Sequence, residues 1–403
     1  MRRLYTLFII ASLGLSVMAQ NGTGLVGDGY YRVHNKITER YIYVTDNKDY
    51  YNETTDAEDF QAIQLWKDAS KTISDPASVI YIEKHGSKYD LKAQGTGIYD
   101  LTSTYRENGQ GLYVTITKVT SGAYKDTYQV SASRANVTKY LSDDRSNDND
   151  QGKLGTSGAA KYRCWVVDKV ETNNATNYFG ITPSITLNGK YYQPFFAVFP
   201  FKTASPDMHV YYVSKIASNE ATLTEINGEV PASTPVIIEC ASNNPANNRL
   251  ELLTTSSAQI QSNKLTGVYF CNGKRPAGST DAYKIFDAST MRIFTVANGK
   301  LVISNNDTDR LTKLRTRDWT NNVVIEPFCI PANTCYLTAS AGTPAVLNVR
   351  FEGVGIDEII AENKGKVTEG VYTLCGTQLR STNDVEGLPA GLYIVGGAKV
   401  LVK

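Results

Sequence analysis

Short, closely spaced runs of alternating apolar and polar residues dominate the chain. Ala345, Leu347, Val349 and Phe351 alternate with Asn348, Arg350 and Glu352, the period of two that marks a half-buried strand. Asn-Gly readily adopts the positive φ of a two-residue hairpin turn. It recurs at Asn188-Gly189, Asn227-Gly228, Asn272-Gly273 and Asn298-Gly299, each beside a run rich in Tyr, Val, Ile or Thr. Long segments with apolar residues at helical spacing are missing. The pattern therefore predicts an all-β chain with short irregular helices at most.

In the first part, residues 31–35 lead by a short turn to 41–44, and similar Tyr-led starts recur at 89–93 and 128–132. Strands at 79–84, 112–119 and 162–170 follow them in turn. Three unevenly spaced repeats of about 40 to 60 residues fit a threefold barrel capped by hairpins, with chance alignment of Tyr-rich strands as the competing explanation. The opening strand pair followed by Gln64-Leu65-Trp66 resembles ricin-type β-trefoil lectin domains, whose repeats begin this way and contain a Gln-x-Trp. The resemblance covers residues 25–172 and implies a β-trefoil-like domain there. Only the first repeat has a Gln-x-Trp, and in that fold these two residues are mainly structural. Tyr43, Asp46 and Trp66 come nearest to the family's sugar-binding set of an acidic residue, a stacking aromatic and an Asn in one repeat, which no repeat here carries clearly.

The Asn-rich stretch 172–177 reads as a linker. Beyond it, 230–237 (Val-Pro-Ala-Ser-Thr-Pro-Val-Ile) and 330–337 (Ile-Pro-Ala-Asn-Thr-Cys-Tyr-Leu) share one pattern, a Pro followed by an apolar strand. Two related β layers in β-sandwich-like modules are expected over 175–352. Segments 195–200 and 330–333 resemble recurring β modules of Bacteroidetes surface proteins, a likeness that brings no chemistry with it.

The two ends speak to address. Arg2 and Arg3 precede an apolar run from Leu4 to Met18, and a small-residue exit at Ala19 follows. This predicts a signal peptide over 1–19 and an exported protein, extracellular or at the outer-membrane surface. The run is shorter than the roughly 20 residues that span a bilayer, and no later segment predicts a transmembrane helix. At the other end, two β-rich runs flank Gly396-Gly397, the signature of a hairpin. Tyr372-x-Leu374-x-Gly376, then Leu388-Pro389-x-Gly391-Leu392-Tyr393-Ile394-Val395, then Gly397-x-Lys399-Val400 resembles the C-terminal sorting domain of type IX-secreted proteins of Bacteroidetes. The resemblance covers 355–403 and implies a small β module that engages the secretion machinery and ends in release or surface attachment.

Composition narrows the partners. Lys plus Arg number 41 against 40 Asp plus Glu, so the chain as a whole has no charge to offer a phosphate backbone, and nucleic acid is excluded as a main partner. The six Cys show no CxxC spacing. Cys329 with Cys335 and Cys240 with Cys271 are the first disulfides to test, buried unpaired thiols being the other reading. The three His, at 34, 85 and 209, form no metal motif, and GxSxG and HExxH are absent, so no catalytic class, metal or cofactor is indicated. A glycosidase needs only two placed carboxylates, and Glu83, Asp90 and Asp100 stand out no more than other acidic residues. Asp143, Asp144, Asp148 and Asp150 before Gly152 give a weak calcium candidate in Asp144, Asp148 and Asp150, lacking the terminal Glu of the full loop.

These readings point to a secreted, non-catalytic cell-surface protein that binds a glycan or surface polymer through the trefoil-like domain. The alternatives are a structural or adhesin-type protein that binds other proteins, and a polysaccharide-active enzyme with an accessory trefoil. The 26 Tyr, against 12 Phe and 3 Trp, suit strands and sugar-stacking surfaces alike.

Overall fold

The computed structural model describes residues 24–44, 63–66, 72–95, 113–134, 136–144, 151–156, 158–269, 284–313, 316–318, 323–352, 369–374, 376–396 and 398–402. The chain is all-β, with several sheets, one of them curled into a half-barrel. Among the described residues no helix is long and apolar enough to cross a membrane.

The half-barrel is built from Gly29–Asn35 (β1), Tyr41–Val44 (β2), Ile63–Trp66 (β3), Ile80–His85 (β4), Lys88–Ala93 (β5), Thr115–Lys118 (β6), Tyr128–Arg134 (β7), Val137–Tyr140 (β8), Ser142–Asp143 (β9), Gln151–Gly155 (β10) and Trp165–Lys169 (β11). β1 sits at its centre, antiparallel to β11, β2 and β4. Alternation on β1 feeds two cores. Tyr31 and Val33 point inward to Ile42, Ile80, Ile82, Leu91 and Trp165. Tyr30 points outward and joins Val79 in a second core with Phe179, Phe199 and Phe201. A strand buried on both faces loses its polar alternation, and β1 is buried at six of its seven positions.

A four-stranded sheet follows, from Phe179–Gly180 (β12), Phe201–Thr203, Glu229–Val230 and Arg249–Leu252. The larger ten-stranded sheet starts with the hairpin of Ile185–Leu187 (β13) and Lys190–Phe195 (β14). In chain order, Phe201–Thr203 is β15, His209–Ala217 is β16, Glu220–Glu225 is β17, Glu229–Val230 is β18, Val236–Cys240 is β19 and Arg249–Leu252 is β20. Next come Leu265–Val268 (β21), Met291–Ala297 (β22) and Lys300–Ser304 (β23). Two short pairs are inserted: Thr312–Lys313 (β24) with Phe328–Cys329 (β27), and Thr316–Asp318 (β25) with Val323–Ile325 (β26). Thr334–Thr338 (β28) and Val346–Phe351 (β29) complete this region.

The ten-stranded order has an internal symmetry. β14, β19, β16 and β17 lie side by side in that order, and so do β21, β28, β22 and β23. In both sets the chain visits the first, third, fourth and second places. β29 joins them, parallel to β17 and antiparallel to β23. The two Pro-Ala turns match as well. Ser233 and Asn333 both adopt left-handed φ, 58 and 56 degrees, and their amides donate to Ala197 O and Val268 O. Both sets share a core in which Tyr192 meets Phe294 edge-on, ring centres 5.9 Å apart.

The Asn-rich stretch is hydrogen-bonded on both sides. Arg249 donates from Nη1 to Thr172 O at 2.7 Å and Asn174 O at 3.0 Å. Asn177 donates from Nδ2 to Lys169 O at 2.8 Å and accepts from Arg32 at 2.6 Å. At the C-terminus, Val371–Tyr372 (β30), Gln378–Arg380 (β31), Gly391–Val395 (β32) and Ala398–Val402 (β33) form a four-stranded sheet, β32 and β33 being the hairpin that the sequence predicts.

Of the two cysteine readings, buried thiols hold and the Cys329–Cys335 disulfide does not. Cys164, Cys240, Cys329 and Cys335 are buried thiols, and Cys329 is not bridged to Cys335; Cys271 lies outside the described residues. The Sγ of Cys335 donates to Val236 O at 3.4 Å in the shared core, whereas that of Cys329 points to Pro327 O at 3.9 Å. Burial pushes the thiols of Cys240 and Cys335 up to about 12, so they remain protonated and inert.

Candidate functional site

The polar face of the β4–β5 hairpin gathers the chemistry. Its turn is Gly86-Ser87, with Gly86 at φ 63 degrees, and its register pairs Ile82 with Leu91, Glu83 with Asp90 and His85 with Lys88. Ile80, Ile82, Leu91 and Ala93 fill the barrel core. The alternate positions Tyr81, Glu83 and His85 on β4, and Lys88, Asp90 and Lys92 on β5, must therefore share the other face.

Glu83 and Asp90 thus stand directly opposite each other, a like-charge pair that needs a cation nearby. Lys92 supplies one. Its Nζ is 2.6 Å from Glu83 Oε2 and 3.6 Å from Asp90 Oδ2. The hydrogen bond between Lys92 and Glu83 is the main reason the carboxyl titrates below its usual range and the ammonium above its own. His85 Nε2 lies 3.3 Å from the same Glu83 oxygen, yet it is shielded from solvent and has no aligned hydrogen-bond partner among the described residues. Its ring stacks on Tyr113, centres 4.4 Å apart and planes 16 degrees apart. Among the described residues, Glu83, His85 and Asp90 are the group whose ligand atoms come together as a metal would require, all within 4.8 Å of one another.

Of the residues expected from the sequence, Tyr43, Trp66 and Asp144 are described. Tyr43 is 4% exposed, with its hydroxyl 2.6 Å from Thr72 Oγ1, so its ring packs inside. Trp66 is placed by its backbone, opposite Tyr41 on one side and Gln151 on the other; Asp46 lies outside the described residues. In the acidic loop, Asp144 Oδ1 accepts from Ser142 Oγ at 2.5 Å and from the Gly158 amide at 2.6 Å. Asp143 forms a buried ion pair with Arg40 at 2.8 Å. Both carboxylates are thus committed to structure. Asp148, Asp150 and Asp100 lie outside the described residues.

Among the described residues every Tyr but one is buried or half-buried. Tyr30, Tyr31, Tyr128, Tyr192, Tyr211 and Tyr336 are all buried. Tyr113, 46% exposed, is the one exposed Tyr among the described residues, and it belongs to the β4–β5 cluster. The sequence signal for this site was the alternation Tyr81-x-Glu83-x-His85 and Asp90-x-Lys92 around Gly86-Ser87, which a two-residue hairpin folds onto one face. No family model matches the chain, and no curated protein matches it in sequence.

Proposed function

We propose that the protein is a secreted, non-catalytic cell-surface protein whose N-terminal region is a trefoil-like glycan-binding domain. The middle β-sandwich-like modules would hold it away from the surface, and the tail module would engage the export machinery. The observation that carries the glycan reading is Tyr113, exposed and backed by the His85 ring, beside Glu83, Asp90 and Lys92. An aromatic face beside charged hydrogen-bonding groups suits a sugar, whose C–H face stacks while its hydroxyls bond. The pairing path supports a trefoil-like barrel. It runs from β1 to β4 and β5, across the Tyr89–Val114 bridge, and on through β6, β7 and β11 back to β1.

A glycan array and polysaccharide pull-down with the full chain test this reading. A ligand should be found, and Tyr113→Ala should weaken it about tenfold, the size of one lost stacking contact. No ligand, or one indifferent to Tyr113→Ala, would overturn it. A protein-binding role is favoured by a separate observation on the tail sheet. Leu392 and Leu401 are cross-strand partners, and both are exposed, as are Leu374 and Leu379. An apolar group of this kind fits a protein partner.

A further inference from the structure

We propose that Glu83, His85 and Asp90 form a three-ligand site for a divalent transition metal, best satisfied by Zn2+, in which the Lys92 ammonium holds the cation's place until the metal displaces it. The inference is independent of the glycan reading. Three features carry it. First, the β4–β5 register sets two carboxylates face to face with an imidazole one step along the same strand, and their ligand atoms already lie within 4.8 Å of one another. A bound ion would need only side-chain adjustment, because the backbone ladder holds all three Cα positions.

Second, His85 Nε2 is shielded, lacks an aligned hydrogen-bond partner among the described residues and lies beside Glu83 Oε2. A neutral imidazole nitrogen next to a carboxylate is a ligand pair for a metal of intermediate softness, whereas Ca2+ and Mg2+ prefer all-oxygen sites of six or more ligands. Third, the cluster already selects for positive charge. Lys92 bridges the two carboxylates, and its side chain is about one-third exposed, so it can swing into water when a dication replaces it. Three protein ligands leave a fourth position open to water or to an oxygen of a bound molecule. The stacked Tyr113 fixes the plane of the imidazole.

Competition between ammonium and metal gives the test its sign. Calorimetric titration of the full chain with ZnCl2, in a buffer that does not chelate, should show one saturable site that His85→Gln removes. Lys92→Met should tighten this site about tenfold, because the internal competitor is gone. Glu83→Gln, which can still hydrogen-bond to Lys92, should weaken it, and excess Ca2+ should leave it unchanged. The melting temperature of each variant without metal separates a lost ligand from a lost fold. Zinc binding that survives His85→Gln, or no saturable binding in either the native chain or Lys92→Met, would overturn the proposal.

Discussion

Two buried charged groups show what the fold asks of single residues. Arg40 and Asp143 pair at 2.8 Å with almost no exposure on either side, and removing one partner takes the opposite charge away from a buried ion. Asp143→Ala should therefore cost about 3–5 kcal/mol, whereas the double change Arg40→Met with Asp143→Leu should cost much less. Denaturant titrations of the three proteins check this, and equal losses in the single and double variants would contradict it. His34 behaves differently. Its ring faces Asp168 at 3.8 Å and Tyr41, with Lys36 nearby, and burial first, then the charge of Lys36, holds its pKa down to about 4 against the ordinary 6.5. Between those values the unfolded chain binds a proton that the folded chain refuses. Stability conferred by neutral His34 is thus fully present above about pH 6.5 and is lost as the pH falls towards 4, by on the order of 2–3 kcal/mol. Melting temperature plotted against pH should be flatter across that window in His34→Gln; an unchanged slope would assign the acid sensitivity to other groups.

At the scale of elements, turn chemistry decides what the sequence reveals. Asn188-Gly189 and Asn298-Gly299 have positive φ at both residues and close the hairpins β13–β14 and β22–β23 as the dipeptide predicts. Asn227-Gly228 has the same letters, but the strands on either side of it, β17 and β18, belong to different sheets, because tertiary pairing overrides a local preference. Asn272-Gly273 lies outside the described residues. The β4–β5 hairpin was hidden for a related reason: residues 79–84 and 89–93 read as parts of different repeats, so nothing placed Glu83 opposite Asp90. The burial of Tyr43 was not legible either, since a Tyr with a buried hydroxyl partner and an exposed Tyr look identical in sequence. Two glycines separate backbone from packing effects. Gly299 has φ 71 degrees with open space around a would-be Cβ, so Gly299→Ala should cost only conformational strain, about 1 kcal/mol. A Cβ on Gly267 would fall 2.0 Å from Phe196 Cδ2. Gly267→Ala must therefore displace a core ring and should cost about 3 kcal/mol. Chemical denaturation of both variants should preserve that order.

For the whole molecule, the question is whether the half-barrel behaves as a separate bead. Gln94 argues that it does not. It is fully buried at the end of β5; its Oε1 accepts from the Val198 amide at 3.1 Å, and its Nε2 donates to Asn333 Oδ1 at 2.9 Å. One side chain thus ties the half-barrel to both halves of the ten-stranded region. Arg32 adds bonds to Asn177, Tyr178 O and Ile73 O, and the Tyr30 hydroxyl donates to Leu253 O at 2.8 Å. Tyr30 and Val79 also belong to the second core, so separating the units would expose apolar surface as well as unpaired polar groups. Residues 24–352 should consequently melt together, because opening either side removes the partner of the other. Gln94→Leu removes the bonds to the Val198 amide and the Asn333 carboxamide and should destabilise that shared transition by about 2–4 kcal/mol, at about 1–3 kcal/mol for each lost buried bond, partly relieved by relaxation. Scanning calorimetry of the native chain and of Gln94→Leu is decisive: one transition that moves down intact supports a rigid head, in which the polar β4–β5 face is held at a fixed angle to the ten-stranded region. Two transitions in the native chain, with only the lower one moved by Gln94→Leu, would make the half-barrel an independent domain after all.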